Sequence, residues 1–344
     1  MQSPRGLKQI IRHLAILVPL LACWGMIAVM MGDWLVEDRI QTLVEARYKI
    51  LNTRVDALGY NLHQRIDFLR ALPIHFSYDN EVIDAVRVHG DATTSTALLL
   101  TQPDIVALSR VLQREANQFT IDVVFVLNAN GHCIATSNFG TSESLLGTNY
   151  QDRDYFKTAI KGQIGYQLLL GRKSGKPGLF LSSPITSDGH IIGVVAIRID
   201  AEQLAPLLGI TDSFITDEYG VVIITRRPSL FLRAMPNNRL DELPTEARML
   251  RYKKSEVHPI NLSRWTGMPT SAPAFHFESE AIPFLIVKQD GAQDGMVLHV
   301  LDPLTGISDI QKDVKKLKAA AFITGTAVIF RGADGAKRSA TSPA

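Results

Sequence analysis

Cysteine is almost absent from this chain: its 344 residues include two, Cys23 and Cys133. One lies in an apolar run and the other about a hundred residues later in a strand-like segment, so no disulfide framework is implied. A chain without cysteine pairs can serve on either side of a membrane. An excess of one charge is lacking too, since 36 Lys and Arg stand against 34 Asp and Glu. No run interleaves basic with aromatic residues, which excludes nucleic acid as the expected partner. The nine histidines, at 13, 63, 75, 89, 132, 190, 258, 276 and 299, never pair with another His, Cys or carboxylate at a metal-ligand spacing, so neither metal nor cofactor is expected. There is no nucleophile elbow, cyclase signature, phospho-accepting His motif or glycine-rich ATP lid. Gly171 to Lys176 reads Gly-Arg-Lys-Ser-Gly-Lys, but it lacks the phosphate-loop spacing and Pro177 follows it, so it reads as a turn between strands. The chain is therefore expected to hold no catalytic residues and not to be an enzyme by itself.

Charge is also missing from Leu14 to Gly32, 19 residues that make ~28 Å of helix against a hydrocarbon core of ~30 Å. Arg5, Lys8 and Arg12 precede the run and Asp33, Glu37 and Asp38 follow it. The positive-inside rule then places the N-terminus in the cytoplasm and the remainder outside the cytoplasmic membrane. A cleaved signal peptide is the alternative, but Val29-Met30-Met31-Gly32-Asp33 lacks a small-x-small cleavage site.

From Val36 to Leu69 the apolar positions Val36, Ile40, Leu43, Val44, Leu51, Val55, Leu58, Leu62, Ile66 and Leu69 recur at threes and fours. That periodicity predicts one long amphipathic helix, a stalk packing on the folded modules, on a second copy, or on both. Gly59 marks a soft point in it and Pro73 its end. Helices follow near Glu81–Val88 and Asp104–Asn117, with a Ser/Thr-rich turn at Asp91–Thr96 between them. At Ile121 the texture becomes β-rich: Ile121–Leu127, a turn at 128–131, His132–Ser137, a helix at Asp152–Lys161, then strands at Gly165–Gly171, Leu179–Pro184 and Ile191–Ile199. The strand, glycine-closed turn and strand order returns at Phe214–Thr225, with Gly131 and Gly220 89 residues apart. Two tandem modules of one build are expected, the second ending in strands near Ile282–Lys288 and Met296–Leu301. After Asp309 the chain turns helical, and Ala319–Phe330 supplies 12 uncharged residues, too few to span. The lysines at 312, 315, 316 and 318 sit on the wrong side for a clean second crossing, so a span begun and cut off is expected. The expected divisions are residues 1–13 cytoplasmic, 14–32 transmembrane, 33–120 stalk, 121–210 and 211–305 the two modules, 306–330 the helix into the partial span, and 331–344 a disordered tail. The fold class is mixed α+β.

Candidate binding residues cluster in the first module. Tyr150-Gln151-Asp152-Arg153-Asp154-Tyr155-Phe156 opens its inserted helix, and Ser182, Ser183 and Arg198 lie in strands. Val194, Ala196 and Arg198 share a strand face, so an Arg projects from an apolar strand end. Arg198 could equally pair with Asp200 or Glu202, and Arg153 with Asp152 or Asp154. If the two arginines converge, they suit a small anion with two carboxylates, each held by two parallel hydrogen bonds, with Tyr150 and Ser182 hydroxyls completing the contacts. Amino acids are less suited, because an ammonium group wants a carboxylate and the strand at 179–184 has none.

The series Tyr150-x-x-Arg153-x-Tyr155-Phe156, Ser174-Gly-Lys-Pro-Gly178, Leu181-Ser-Ser-Pro184, Gly193-Val-Val, Arg198-Ile-Asp200 and Asp217-x-x-Gly-Val-Val-Ile resembles the double Cache sensor domain. It is similar in particular to the input region of four-carbon dicarboxylate sensor histidine kinases, over about residues 34–316. The resemblance implies a long N-terminal helix, a membrane-distal ligand-binding module and a membrane-proximal one, both PAS-like, and a homodimer along the long helices. It implies succinate, malate or fumarate as ligand and a two-component signal-transduction role at the inner membrane, with the sensor periplasmic. By position, Tyr150 and Arg153 match ligand contacts of that family, and Tyr155 lies in the same motif. Arg198 stands where Lys is common, and Ser182 or Ser183 is the strand serine. Arg172 departs from the pattern, standing near a small hydroxyl residue's position, where it shrinks the pocket or adds a third cation. The kinase region of that family is not found after Phe330. A diguanylate cyclase or chemoreceptor input, and a dimeric membrane scaffold with a vestigial pocket, are the competing readings.

Overall fold

The computed structural model describes residues 4–90, 95–209, 212–267, 272–290 and 295–339. Its spine is α1 (Pro4–Ser77), 74 residues of unbroken helix that run through both Gly59 and Pro73. The sequence expectation of an end at Pro73 is corrected: the helix runs four residues further and closes at Ser77, whose hydroxyl donates to the Ile74 carbonyl at 2.7 Å. Within α1, Ile40, Val44, Leu51, Val55, Leu62, Ile66 and Leu69 are all buried. The apolar stripe is thus spent on the chain's own modules, where burying each Leu or Ile is worth about 1.5–3 kcal/mol. Nearer the N-terminus the helix exposes Val18, Met26, Val29 and Met31. Among the described residues this is the one helix long and apolar enough to cross a membrane.

Short helices α2 (Asn80–His89), α3 (Thr96–Leu100) and α4 (Pro103–Phe119) follow. The Asp79 carboxylate caps α2 through the Glu81 amide at 2.7 Å, and Pro stands in the first turn of α4, where its missing N–H costs nothing. Residues 91–94 of the expected turn lie outside the described residues. The first sheet holds β1 (Val123–Asn128), β2 (Cys133–Thr136), β3 (Gly165–Leu170), β4 (Pro177–Ser187) and β5 (His190–Asp200), in the antiparallel order β2-β1-β5-β4-β3, with α5 (Asp154–Ala159) between β2 and β3. One face packs on α1, α2 and α4. The other carries a separate apolar cluster that includes Phe125, Cys133, Tyr150, Tyr155, Phe180 and Ala196.

After α6 (Ala201–Leu204) come β6 (Asp212–Thr216), β7 (Val222–Thr225), α7 (Thr245–Tyr252), β8 (Leu262–Arg264), β9 (Ala274–Phe277), β10 (Pro283–Asp290) and β11 (Val297–Pro303), in the order β7-β6-β11-β10-β9-β8. The central order repeats that of the first sheet. So does a register shift, at Val126/Leu127 in β1 and Ile215/Thr216 in β6. A one-residue irregularity kept at the same place is the local mark of a duplicated build.

The chain closes with α8 (Ile307–Ser339), which returns alongside α1. Trp24 Nε1 donates to the Ala321 carbonyl at 3.3 Å and Lys318 Nζ to Asp33 Oδ1 at 2.5 Å. One sequence expectation is corrected here. Residues 331–339 of the expected disordered tail are helical, while 340–344 lie outside the described residues. Lys318 pairs with Asp33 at the C-terminal end of the apolar run.

One core group gives the fold a pH signature. His299 in β11 is buried and stacks on Phe214 with centroids 4.8 Å apart. Burial, and after it the nearby Lys288 cation, lowers its pKa from the ordinary 6.5 to about 4. The unfolded chain therefore binds the proton more tightly, so this stability is complete above pH 6.5 and is lost as pH falls from 6.5 through 4. The expected loss is about 3 kcal/mol, read as a falling urea midpoint. His299→Gln should flatten that slope.

Candidate functional site

The face of the first sheet that turns away from α1 is built by strand alternation. Phe180 pairs with Arg198 and Ser182 with Ala196 across β4 and β5, so these four side chains stand on one side. Ser183 points the other way, with its hydroxyl 3.3 Å from that of Ser77 in α1. Of the two strand serines left open by the sequence, Ser182 is the one on this face. Its hydroxyl donates to the Tyr155 carbonyl at 2.8 Å. A Cβ at Gly165 would come within 2.2 Å of both Ser182 Oγ and the Tyr155 carbonyl oxygen, so glycine is what lets α5 lie this close.

Over the face lies the segment leading into α5. Tyr155 stacks on Phe180 at 5.2 Å and meets Phe125 edge-on at 6.3 Å, while Tyr150 packs on Phe125 at 5.5 Å. Gly131 sets this segment's height, having φ +80° and a hypothetical Cβ 2.6 Å from the Gln151 amide nitrogen. Gly131→Ala is expected to cost about 1–3 kcal/mol and to weaken ligand binding with it, as read by melting temperature and titration calorimetry.

Both tyrosine hydroxyls are buried and have no hydrogen-bond partner among the described residues. Burial raises the Tyr150 phenol pKa above its ordinary value, and Arg172, Arg153 and Arg198 each oppose that rise.

The three are not equivalent. Arg198, buried, lies with Nε 2.8 Å from Asp200 Oδ1 and donates from Nη1 to Ser174 Oγ at 3.1 Å. Its pairing with Asp200, one alternative left by the sequence, is therefore realised, although Nε is not aligned for a hydrogen bond. Burial raises the Asp200 pKa and Arg198 opposes it. Arg172 donates from Nη2 to both Asp152 oxygens, at 2.5 and 2.6 Å, and lies over the Tyr150 ring at 5.6 Å.

Arg153 is buried and has no ion-pair partner among the described residues. The alternative pairing with Asp152 or Asp154 is corrected: Asp152 is taken by Arg172, and Asp154 accepts from Gln167 Nε2 at 2.7 Å. Arg153 Nη1 donates instead to the Leu250 carbonyl in α7 of the second module, at 3.2 Å. Burial lowers its pKa, opposed by Tyr155 and reinforced by the Arg172 cation. A guanidinium stays protonated under such conditions, so the cost is one that an anion relieves.

The reach of α7 gives no sign in the sequence. Arg251 is buried against Glu218, Asp217 at 3.5 Å and Asp154 at 3.6 Å, and Lys253 Nζ donates to the Arg172 carbonyl at 3.3 Å. Tyr252 donates to Asp217 Oδ2 at 2.6 Å. The second module thus holds two of the arginine-bearing segments of the first. Among the described residues no cluster suited to a metal is found.

No family model matches the chain. The C4-dicarboxylate transport sensor protein DctB of Rhizobium meliloti is 28% identical over 182 residues, which is 52% of this chain and 29% of that protein. Its namesake in Pseudomonas aeruginosa is 31% identical over 156 residues, 44% of this chain and 26% of that one. The alignments thus span less than a third of the curated relatives' length. Among solved structures, the sensor domain of the V. cholerae histidine kinase DctB superposes with a TM-score of 0.64 at 18% identity, covering 75% of this chain and 98% of that one. The chain is homologous to the C4-dicarboxylate transport sensor proteins and has the fold of a DctB sensor domain.

Proposed function

We propose that the chain is the extracytoplasmic sensing region of a membrane-anchored, two-component histidine kinase receptor, taking a small dicarboxylate such as succinate or malate on the arginine face of its first module. The observation that carries this is Arg153: a buried cation without a carboxylate partner among the described residues, beside two tyrosine hydroxyls with no hydrogen-bond partner among them. One ligand carboxylate bound there would remove the cost of that isolated charge. The second would share Arg172 or Arg198 with its aspartate, and Tyr150 and Tyr155 would donate to the remaining oxygens. Ser182 would act only as an acceptor or a spacer, its proton being committed to Tyr155. The names of the relatives support this ligand class, and the apolar run of α1 supports the anchor. A homodimer would use the outer face of α1, where Ile50, Tyr60 and Phe68 are exposed.

A second reading rests on Asp152 and Asp200. Two carboxylates border the face, so an α-amino acid could place its carboxylate on Arg153 and its ammonium group on either aspartate. Thermal shifts of the chain in lipid nanodiscs separate the two readings. At a hundred times Kd a bound ligand adds about 2.7 kcal/mol, which is several degrees. Succinate, malate and fumarate are expected to give that shift and alanine, valine and aspartate none. A shift with amino acids alone would transfer the site to the second reading, and no shift with any compound would leave the scaffold reading.

A further inference from the structure

The second module presents its own version of the same sheet face. Where Phe125 opposes Ala196 in the first sheet, Phe214 opposes His299 in the second. Beside His299 lies a cavity of about 830 Å3, walled by apolar residues such as Leu262, Ile286 and Val297 and with Thr216 and Lys288 also lining it. That volume suits a small organic molecule.

We propose that this cavity is a second ligand site, selective for a small monocarboxylate with an apolar body. Its charge inventory differs from that of the arginine face. Asp217 and Glu218 are committed to Tyr252 and Arg251, and Arg239 to Glu242 at 2.6 Å. Lys288 is a cation with no ion-pair partner among the described residues, and it stands directly across from His299 in the β10–β11 ladder. One uncommitted cation sets a ligand charge of one, as the cost of burying a second negative charge would go uncompensated. The polar part of the lining adds hydrogen bonding without further charge. His299 Nε2 lies 3.3 Å from Thr216 Oγ1, and Nδ1 is buried with no partner among the described residues. With Nε2 accepting from Thr216, Nδ1–H remains as a donor for a carboxylate oxygen or a ligand hydroxyl. The apolar walls then favour an alkyl or aryl body over a second polar end.

This site does not depend on the reading of the first module, and calorimetry separates them. Benzoate and butyrate are titrated into the full chain in nanodiscs, with empty nanodiscs as blank, for wild type, Lys288→Ala, Arg153→Ala and the cavity-filling Ile286→Trp. Wild type and Arg153→Ala are expected to bind equally, Lys288→Ala roughly tenfold or more weakly, and Ile286→Trp not at all. Lys288 is exposed, so its removal leaves the fold intact even if the Trp variant does not fold. Absence of binding to wild type would overturn the proposal, as would binding lost in Arg153→Ala and kept in Lys288→Ala.

Discussion

Arg153→Ala is expected to weaken succinate binding by at least a hundredfold while the protein still folds. Truncating one member of a buried, hydrogen-bonded charge pair costs about 2–5 kcal/mol, and each 1.4 kcal/mol is tenfold in affinity. The folded state should tolerate the change, because what it loses is a single bond to the Leu250 carbonyl together with the desolvation cost of an unneutralised cation. Arg198→Ala is expected to do less, since Asp200 already neutralises Arg198. Titration calorimetry on the two variants gives the order, and equal losses would mean that Asp200 does not hold Arg198 out of the ligand's reach.

Arg251→Ala should be the most destabilising single change among the polar residues. It removes the partner of Glu218 and leaves the buried Asp217 carboxylate with Tyr252 and the backbone amides of Tyr219 and Val221 alone. Breaking a buried ion pair from one side costs about 3–5 kcal/mol, or roughly 10 °C in melting temperature for a fold of this size. Burial already raises the Asp217 pKa, to about 6, against the pull of Arg251. The lost cation should raise it further, so the deficit of the variant should be largest at pH 8 and shrink toward pH 5, where Asp217 takes up a proton. The same variant should weaken succinate binding indirectly, because α7 carries the carbonyl that holds Arg153. Thermal melts across that pH range check the first claim, and calorimetry the second.

The first module was legible because its strands are short β-rich runs closed by turn residues, and alternation along 194–198 placed Arg198 on a definite face. The stalk was legible from its stripe. Much of the second module was not. α7 buries itself through Arg251 and Tyr252 while Met249 and Leu250 are exposed, so apolar periodicity, the signal that finds helices, runs against its true orientation. The helix beyond Phe330 was read as tail because charged and small residues hide a continuation that backbone hydrogen bonding permits. At the site, residue types could nominate Arg153, Arg172 and Arg198 but could not assign their partners. Asp152 lies 20 residues from Arg172 and Leu250 lies 97 from Arg153, separations that only the folded chain closes.

Calorimetric titration of a charge series, with succinate, its monomethyl ester and neutral succinamide against the intact chain in nanodiscs, puts the electrostatic claim to its sharpest test. Affinity should fall by tenfold or more with each carboxylate removed, as expected when each charge-assisted contact is worth about 1.5–3 kcal/mol. Equal affinity across the three compounds would contradict it, since guanidinium groups would then not be what holds the ligand.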